Sequence, residues 1–359
     1  MRILHTEWSN GWGGQEIRII NEMLALRNEK HDVFLACRKK SKIYQVANKH
    51  QIAILTLPFV GNADFYTILR LFFFLKRKKI QIVNTHSGKD TWVGGISSKL
   101  AGIKFIRTRH LSNLINPSRL NFINELCDYV ITTGESVRQD MIANNRINPK
   151  KIQSIPTGPD ERKFNPEKFS KSHSRKIFNL QDDEIAIGML AVIRRFKRYD
   201  KFISMASYIT KLYPHKKIKF LLAGDGPQRE LVEKLVLDEN LSHLFNFLGH
   251  IENVPEYLRA LDLFVLCSDS GEGVPQSLIQ SLMMNTHSIA TDVGSVKDLY
   301  SESNFKLINK DSHEDLNESV KEFIEERRYK KGTNSRGHIV SNFSEKIMTK
   351  KLIDIYKTL

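Results

Sequence analysis

Apolar residues along this chain gather in short runs, separated by longer stretches in which they recur every three or four positions. In the first half, RILHTE (2–7), DVFLAC (32–37), QIAILTL (51–57), QIVNTH (81–86), KFIRTRH (104–110) and DYVITTG (128–134) predict strands. Segments 14–29, 63–78 and 136–144 predict helices between them. Such alternation predicts a parallel sheet covered by helices on both faces. The rhythm breaks over 157–178, TGPDERKFNPEKFSKSHSRKIF, which is polar, holds two prolines and starts no periodic segment; it is expected to be an interdomain linker. A second series follows: EIAIGMLAV, IKFLLAG, LFNFLG, LFVLCS and HSIATDV as strands, with helices near 200–213, 227–240, 253–261, 275–284 and 313–330. The last helix, 344–359, has Ser344 as its expected cap and Ile347, Leu352, Ile355 and Tyr356 as its apolar residues. Two consecutive α/β units result, and in such sheets ligands bind at the carboxyl ends of the strands.

A length of 359 residues agrees with two domains. No apolar run approaches 18 residues, so no spanning helix is expected. Met1 to Leu4 leads straight into polar residues, so no signal sequence is expected either. Cys37, Cys127 and Cys267 stand far apart in no metal-ligand spacing, which fits core residues of a cytoplasmic protein. Charge is unevenly placed: residues 1–170 hold 27 Lys and Arg against 14 Asp and Glu, residues 171–359 hold 28 against 26. A basic half implies an anionic partner, whether nucleic acid, an anionic membrane surface or a phosphorylated ligand. No recognised nucleic-acid motif accompanies the charge, so nucleic acid is not expected.

The loops after strands carry the candidate chemistry. Gly11, Gly13 and Gly14 precede a helix start, where convergent amides accept phosphate; a tight strand-to-helix turn would look the same. A dinucleotide site would want an acid some 20 residues on, but Arg38, Lys39 and Lys40 stand there. That excludes a standard NAD site and leaves the 2′-phosphate of NADP as a competing ligand. His86 and His110 end two expected strands, His110 beside Arg107 and Arg109. Arg194, Arg195, Lys197 and Arg198 follow the first strand of the second series, and an arginine with a lysine three residues later can grip a diphosphate. AGDGP, with Gly224, is another glycine turn after a strand. In SDSGEGVPQSLIQSLMM a lone carboxylate, Glu272, sits between two glycines ahead of an amphipathic helix. It either complements the helix dipole or takes hold of a ligand that the glycines admit.

Taken together, GWGG, TRH (108–110), PTGPDERKF (156–164), VIRRFK (192–197), AGDGP (223–227), LGHIENVPEYL (248–258), EGVPQSLIQ (272–280) and ATDVGSVKDL (290–299) resemble, in order and spacing, the retaining glycosyltransferases of family 4. The resemblance implies the α/β GT-B fold: two Rossmann-like domains facing each other across a cleft, with the C-terminal helix crossing back to the first. Residues 1–165 with helix 344–359 would bind the acceptor, and residues 166–343 a nucleotide-sugar donor. It implies Arg194 and Lys197 on the donor diphosphate, backbone around His250 near the base, Glu272 on sugar hydroxyls with Gly273 as clearance for that sugar, Gly224 and Val274 as further donor-binding residues, and the amides of Gln276 and Ser277 facing the phosphates at a helix start. Gly13 and Gly14 would approach the same diphosphate, His110 would border the sugar, and His86, Arg107 and Arg109 would lie on the acceptor side. The second glutamate of the family's E-x7-E motif falls at Gln280, which loses a charge-assisted bond to the ribose. Asp298 stands where another family acid is frequent.

The implied activity is retaining, metal-independent transfer of a hexose from a UDP- or GDP-linked donor to a glycan or lipid-linked acceptor. No cofactor is expected. The setting is bacterial surface glycan: lipopolysaccharide core, O-antigen or capsule. The departing nucleotide diphosphate would deprotonate the acceptor. FYTILRLFFFLKRKK (65–79) carries Phe72, Phe73, Phe74 and Leu75 beside Lys76, Arg77, Lys78 and Lys79. The aromatics read as core, while the cations suit anionic lipid at the inner face of the membrane, by a monomer or dimer. Two other readings stand beside this one: an NADP-dependent oxidoreductase, which leaves EGVPQ and VIRRFK unexplained, and a non-catalytic nucleotide- or carbohydrate-binding relative, for which Gln280 is the hint.

Overall fold

The computed structural model describes residues 1–110, 115, 119–301, 304–326 and 335–359. Its contacts divide the chain into two units, Met1–Thr157 with Glu345–Leu359, and Gly158–Ser344. The sequence had set this boundary at 165.

The first unit holds β1 (Arg2–Glu7), β2 (Asp32–Cys37), β3 (Ala53–Thr56), β4 (Ile82–Thr85), β5 (Lys104–Arg109), β6 (Tyr129–Thr132) and β7 (Ile152–Ser154) in the order β3-β2-β1-β4-β5-β6-β7. All neighbours are parallel, with Thr6 facing Ala36 on one side and Thr85 on the other. Side chains alternate across the sheet. Ile3 packs with Ile19, Met23 and Leu26 of helix Gly14–Asn28, and with Leu352 and Ile355 of helix Glu345–Thr358. Leu4 packs on the other face with Ile68, Leu71 and Val93. The last helix thus belongs to the first unit because its apolar stripe covers that sheet.

The second unit holds β8 (Ile185–Leu190), β9 (Ile218–Ala223), β10 (Phe245–Gly249), β11 (Leu263–Leu266), β12 (His287–Thr291) and β13 (Lys306–Ile308), ordered β10-β9-β8-β11-β12-β13 and parallel. Ile187 and Met189 face Phe202 and Ile203, whereas Ala186 faces Tyr257 and Leu261. In both sheets the strand order reverses beside the first strand, between β1 and β4 and between β8 and β11. These are the switch points at which parallel sheets open a crevice.

Segment 157–178 is no linker. It contains helix Lys171–Ile177, and Phe164, Pro166, Ser174 and Arg175 are buried. Arg175 bonds Asp262 at 3.0 Å and the Glu184 carbonyl at 2.7 Å, so a charge that reads as solvated is spent inside the second unit. The three-residue strands β7 and β13 are too short to leave a pattern. Helix 313–330 is described as His313–Glu326; its last four residues lie outside the described residues.

Candidate functional site

In the second unit the site is made by two loops at the switch point. Asp269 N–H donates to the Phe196 carbonyl at 2.9 Å, tying the loop after β11 to the loop after β8. Arg198, at φ 52, bonds both Asp200 and Asp269 and locks the same junction. Into it point Lys197 and Glu272: the ammonium and the Ser268 hydroxyl both donate to Glu272 Oε1. The pair is 12% and 8% exposed, so it is screened by little water. Gly294, at φ 57, lies beneath; a Cβ there would stand 2.0 Å from the Glu272 carbonyl oxygen, so only glycine lets the two turns touch.

Four residues past Glu272, helix Gln276–Met283 starts after Pro275 with no side-chain cap, and the positive end of its dipole faces the turn that carries Glu272. Gln276, Ser277, Gln280 and Gly273 are half-buried, and Arg194 and His250 are exposed. Arg194 has no ion pair among the described residues. Val274 sends its side chain into the core, so only its backbone remains for a ligand. Gly224 works within the fold. Its N–H donates to Gly249 O at 2.7 Å, and at φ 127 a Cβ would stand 1.9 Å from Ala191 O.

In the first unit the carboxyl ends of β1, β4 and β5 hold three imidazoles in a row. His5 Nδ1 meets His86 Nε2 at 2.9 Å, and His86 Nδ1 meets His110 Nε2 at 2.9 Å. Burial lowers the pKa of all three, and His86 is further lowered by its two neighbours. Each is therefore neutral with one N–H, and the contacts admit two proton arrangements. With His5 Nε2 bare, His110 Nδ1 is a donor; with His5 Nε2 protonated, it is an acceptor. His5 Nε2 is buried without a partner, and a buried orphan N–H is the costlier orphan, which favours the donor state at His110. Beside the chain, Arg18 bonds Glu22 at 3.0 Å, Glu22 accepts from Asn84 and Tyr356, and Thr108 donates to Asn84 at 2.8 Å.

Glu7, the last residue of β1, is fully buried. Its Oε1 accepts from Ser9 N at 2.8 Å and lies 2.8 Å from Ser87 Oγ, and its Oε2 accepts from Gln15. Ser87 Oγ also meets Asp90 Oδ1 at 2.7 Å. One hydroxyl hydrogen cannot serve two carboxylates. Asp90 already draws on Thr6, His86 N and Ser87 N, so Asp90 is the ion and Glu7 carries the proton. Burial and the Asp90 charge push Glu7 up to about 8; burial raises Asp90 as well, opposed there by the hydrogen bonds from His86 N, Ser87 and Thr6.

Of the acceptor-side candidates, the structure joins His86 to His110 but separates Arg107 from both. Arg107 follows Phe105 in the strand alternation and lies with Cys127, on the face opposite Thr108. Burial lowers its guanidinium pKa, and Arg109, lowered by burial and then by the neighbouring Arg107 charge, falls to about 10. Gly13 N–H is taken by Glu16 Oε2 at 2.9 Å, and Gly14 starts the helix. His5, Glu7, Ser87, Asp90 and Ser268 escaped the sequence reading; the signal for the first two was a histidine and a glutamate at alternate positions closing the strand RILHTE. Among the described residues no group of three or more His, Cys, Asp or Glu could hold a metal ion.

Two parallel sheets of this order, with the final helix returned to the first, form the GT-B fold of glycosyltransferases. Two family models divide the chain between them, Glycosyltransferase Family 4 over residues 12–163 and Glycosyl transferases group 1 over residues 170–339. The chain belongs to the family 4 glycosyltransferases. It is 25% identical over 297 residues to the UDP-Gal:alpha-D-GlcNAc-diphosphoundecaprenol alpha-1,3-galactosyltransferase of Escherichia coli, covering 78% of this chain and 76% of that one. To the putative glycosyltransferase EpsF of Bacillus subtilis it is 21% identical, covering 81% and 79%. Among solved structures, a glycosyltransferase of Rickettsia africae superposes with TM-score 0.89 at 18% identity over 99% and 98% of the chains. HepE of Anabaena, in complex with UDP and glucose, superposes with TM-score 0.85 at 16% identity over the whole of both. With the transferase class given, Arg38, Lys39 and Lys40 lose the NADP phosphate as their ligand.

Proposed function

We propose that the protein moves a hexose from a UDP- or GDP-linked donor to a glycan or lipid-linked acceptor, with retention of configuration, in the synthesis of bacterial surface polysaccharide. The observation that carries this is Lys197 paired with Glu272 at the switch point, just ahead of an uncapped helix start. Breaking the sugar–phosphate bond places negative charge on the leaving diphosphate and positive charge on the sugar. Arg194, Lys197 and the amides of Gln276 and Ser277 meet the first as preorganised electrostatics. Glu272 holds the sugar hydroxyls, and Gln280 takes the ribose as a neutral partner. The C1–O bond to the diphosphate breaks, C1 bonds the acceptor oxygen on the same face, and the acceptor proton passes to the departing diphosphate. The scheme uses no metal ion. The relative named for UDP-Gal and a diphosphoundecaprenol acceptor supports a UDP-hexose and a lipid diphosphate.

Among the described residues no helix is long and apolar enough to cross a membrane. Helix Phe65–Arg77 nonetheless exposes Phe65, Tyr66, Leu69 and Phe73 on one side, while Phe72 and Phe74 are half-buried and Leu75 is buried. Arg70, Lys76 and Arg77 are exposed on the same helix. Apolar side chains edged by cations suit peripheral attachment to the anionic inner face of the cytoplasmic membrane. The test is release of nucleoside diphosphate from a nucleotide-sugar panel, with and without membrane extract and with a chelator. Release from one donor, increased by extract and unchanged by chelator, is expected; no release from any donor would sink the reading.

A further inference from the structure

Just past the carboxyl ends of β2 and β3, a cavity of about 350 Å³ opens between Asn10, Arg38, Lys39, Lys40, Thr56 and Pro58. No carboxylate lines it. Lys39 and Lys40 are exposed and make no ion pair among the described residues. Arg38 is fixed in its wall: Nε donates to Pro58 O at 2.8 Å, Nη2 to Phe59 O at 2.6 Å, and the guanidinium lies 5.0 Å over Trp8. Carbonyls and a ring orient this cation without cancelling its charge. The wall it holds is strained, since Phe59 sits at φ 47 with its ring buried, a conformation a bulky residue keeps only where its surroundings enforce it. A second cavity of about 380 Å³ adjoins it through Lys39 and Thr56, also without a carboxylate.

Three like charges held around one hollow repel each other, and the arrangement is stable when an anion neutralises them. We infer that this cavity is a phosphate-binding site, taking the phosphate or diphosphate of the acceptor. The inference rests on the first unit being the acceptor side. Lys39 and Lys40 supply point charges, Arg38 a preset one, and Thr56 and Asn10 neutral donors. Two residues past the Pro58 wall stands exposed Val60, and then the helix that exposes Phe65, Tyr66, Leu69 and Phe73. A phosphate borne on a lipid would have its chain leave the cavity beside that apolar side.

Lysine acetylation read by mass spectrometry tests this on the whole, unaltered protein. Inorganic pyrophosphate should slow acetylation of Lys39 and Lys40 by about tenfold, the scale of one charge-assisted contact each, and leave exposed Lys30 and Lys49 unchanged. Uniform slowing at all four, or none, overturns the site. Geranyl diphosphate assigns the source: protection at lower concentration than pyrophosphate means a lipid-borne phosphate, and equal concentrations mean a soluble one. Protection needs no turnover, so it stands even if no nucleotide sugar is consumed. Donor turnover with Lys39 and Lys40 unprotected defeats this site alone.

Discussion

Lys197 donates to Glu272 across a sequence separation of 75 residues and joins the two loops of the second switch point in one ion pair. Both ends are nearly buried, so removing either strands the other. Lys197→Met or Glu272→Gln should each lower stability by up to about 3–5 kcal/mol, and the double variant should recover part of that loss. Urea melts of the three variants check the cycle. Under the proposed mechanism turnover should be absent in all three, because the pair would also supply the diphosphate and sugar contacts.

Gly294 supports that pair from below. Gly294→Ala puts a Cβ against the Glu272 carbonyl in a backbone region strained for any side chain, at a cost of about 1–3 kcal/mol or more. Gly88→Ala, with nothing within 4 Å of its Cβ, is the matched control. The expected outcome is a lower melting temperature and lost turnover in the first, with neither change in the second. Equal behaviour would detach Gly294 from the site.

Much of this was legible in the sequence, and the rest was hidden for identifiable reasons. β2 could be read to the residue because a strand covered on both faces is a continuous apolar run, here Val33 to Cys37, and β1 was read to the residue although only Ile3 and Leu4 of it are apolar. Glu272 and Lys197 were legible through the order of their motifs. Their partner Ser268 was not, because the bond depends on how one loop folds back. His5 and Glu7 sit inside a run that reads as strand core, and their meaning appears only when β4 brings His86 and Ser87 alongside. Arg175 hid the start of the second unit, since a buried arginine and a solvated one look alike in a polar stretch.

Glu7 gives stability a pH dependence with a definite sign. Its pKa is raised from 4.5 to about 8 by folding, so the folded chain holds a proton that the unfolded chain releases. The stabilisation is complete below about 4.5 and is lost progressively as pH rises to about 8. The three histidines act oppositely: their lowered values make stability fall as pH drops below 6.5. Between pH 6.5 and 8 only Glu7 contributes among these four. Melting temperature should fall over that window in the wild type and stay flatter in Glu7→Gln.

The histidine row should be visible by its protons. Nitrogen-15 spectra at pH 7 should show all three imidazoles neutral, with His110 protonated at Nδ1. His86→Phe removes both nitrogens that set this pattern, and the Nδ1–H signal of His110 should weaken. An imidazolium among the three at pH 7 would refute the assignment.

If helix Phe65–Arg77 makes the proposed membrane attachment, its apolar and charged contributions separate by experiment. Leu69 and Phe73 are 57% and 66% exposed, so Leu69→Asp with Phe73→Asp removes little packing and should leave the melting temperature within about 0.5 kcal/mol equivalent. The same change places two charges where an acyl chain would lie and should abolish co-sedimentation with anionic vesicles. Neutralising Lys76, Arg77, Lys78 and Lys79 instead removes about 1 kcal/mol per charge of attraction to the surface. That loss should be large at low salt and shrink as the ions are screened, while the aspartate variant stays unbound at every salt concentration. Retained binding of the aspartate variant, or no binding by the wild type, would overturn the proposed attachment through this helix.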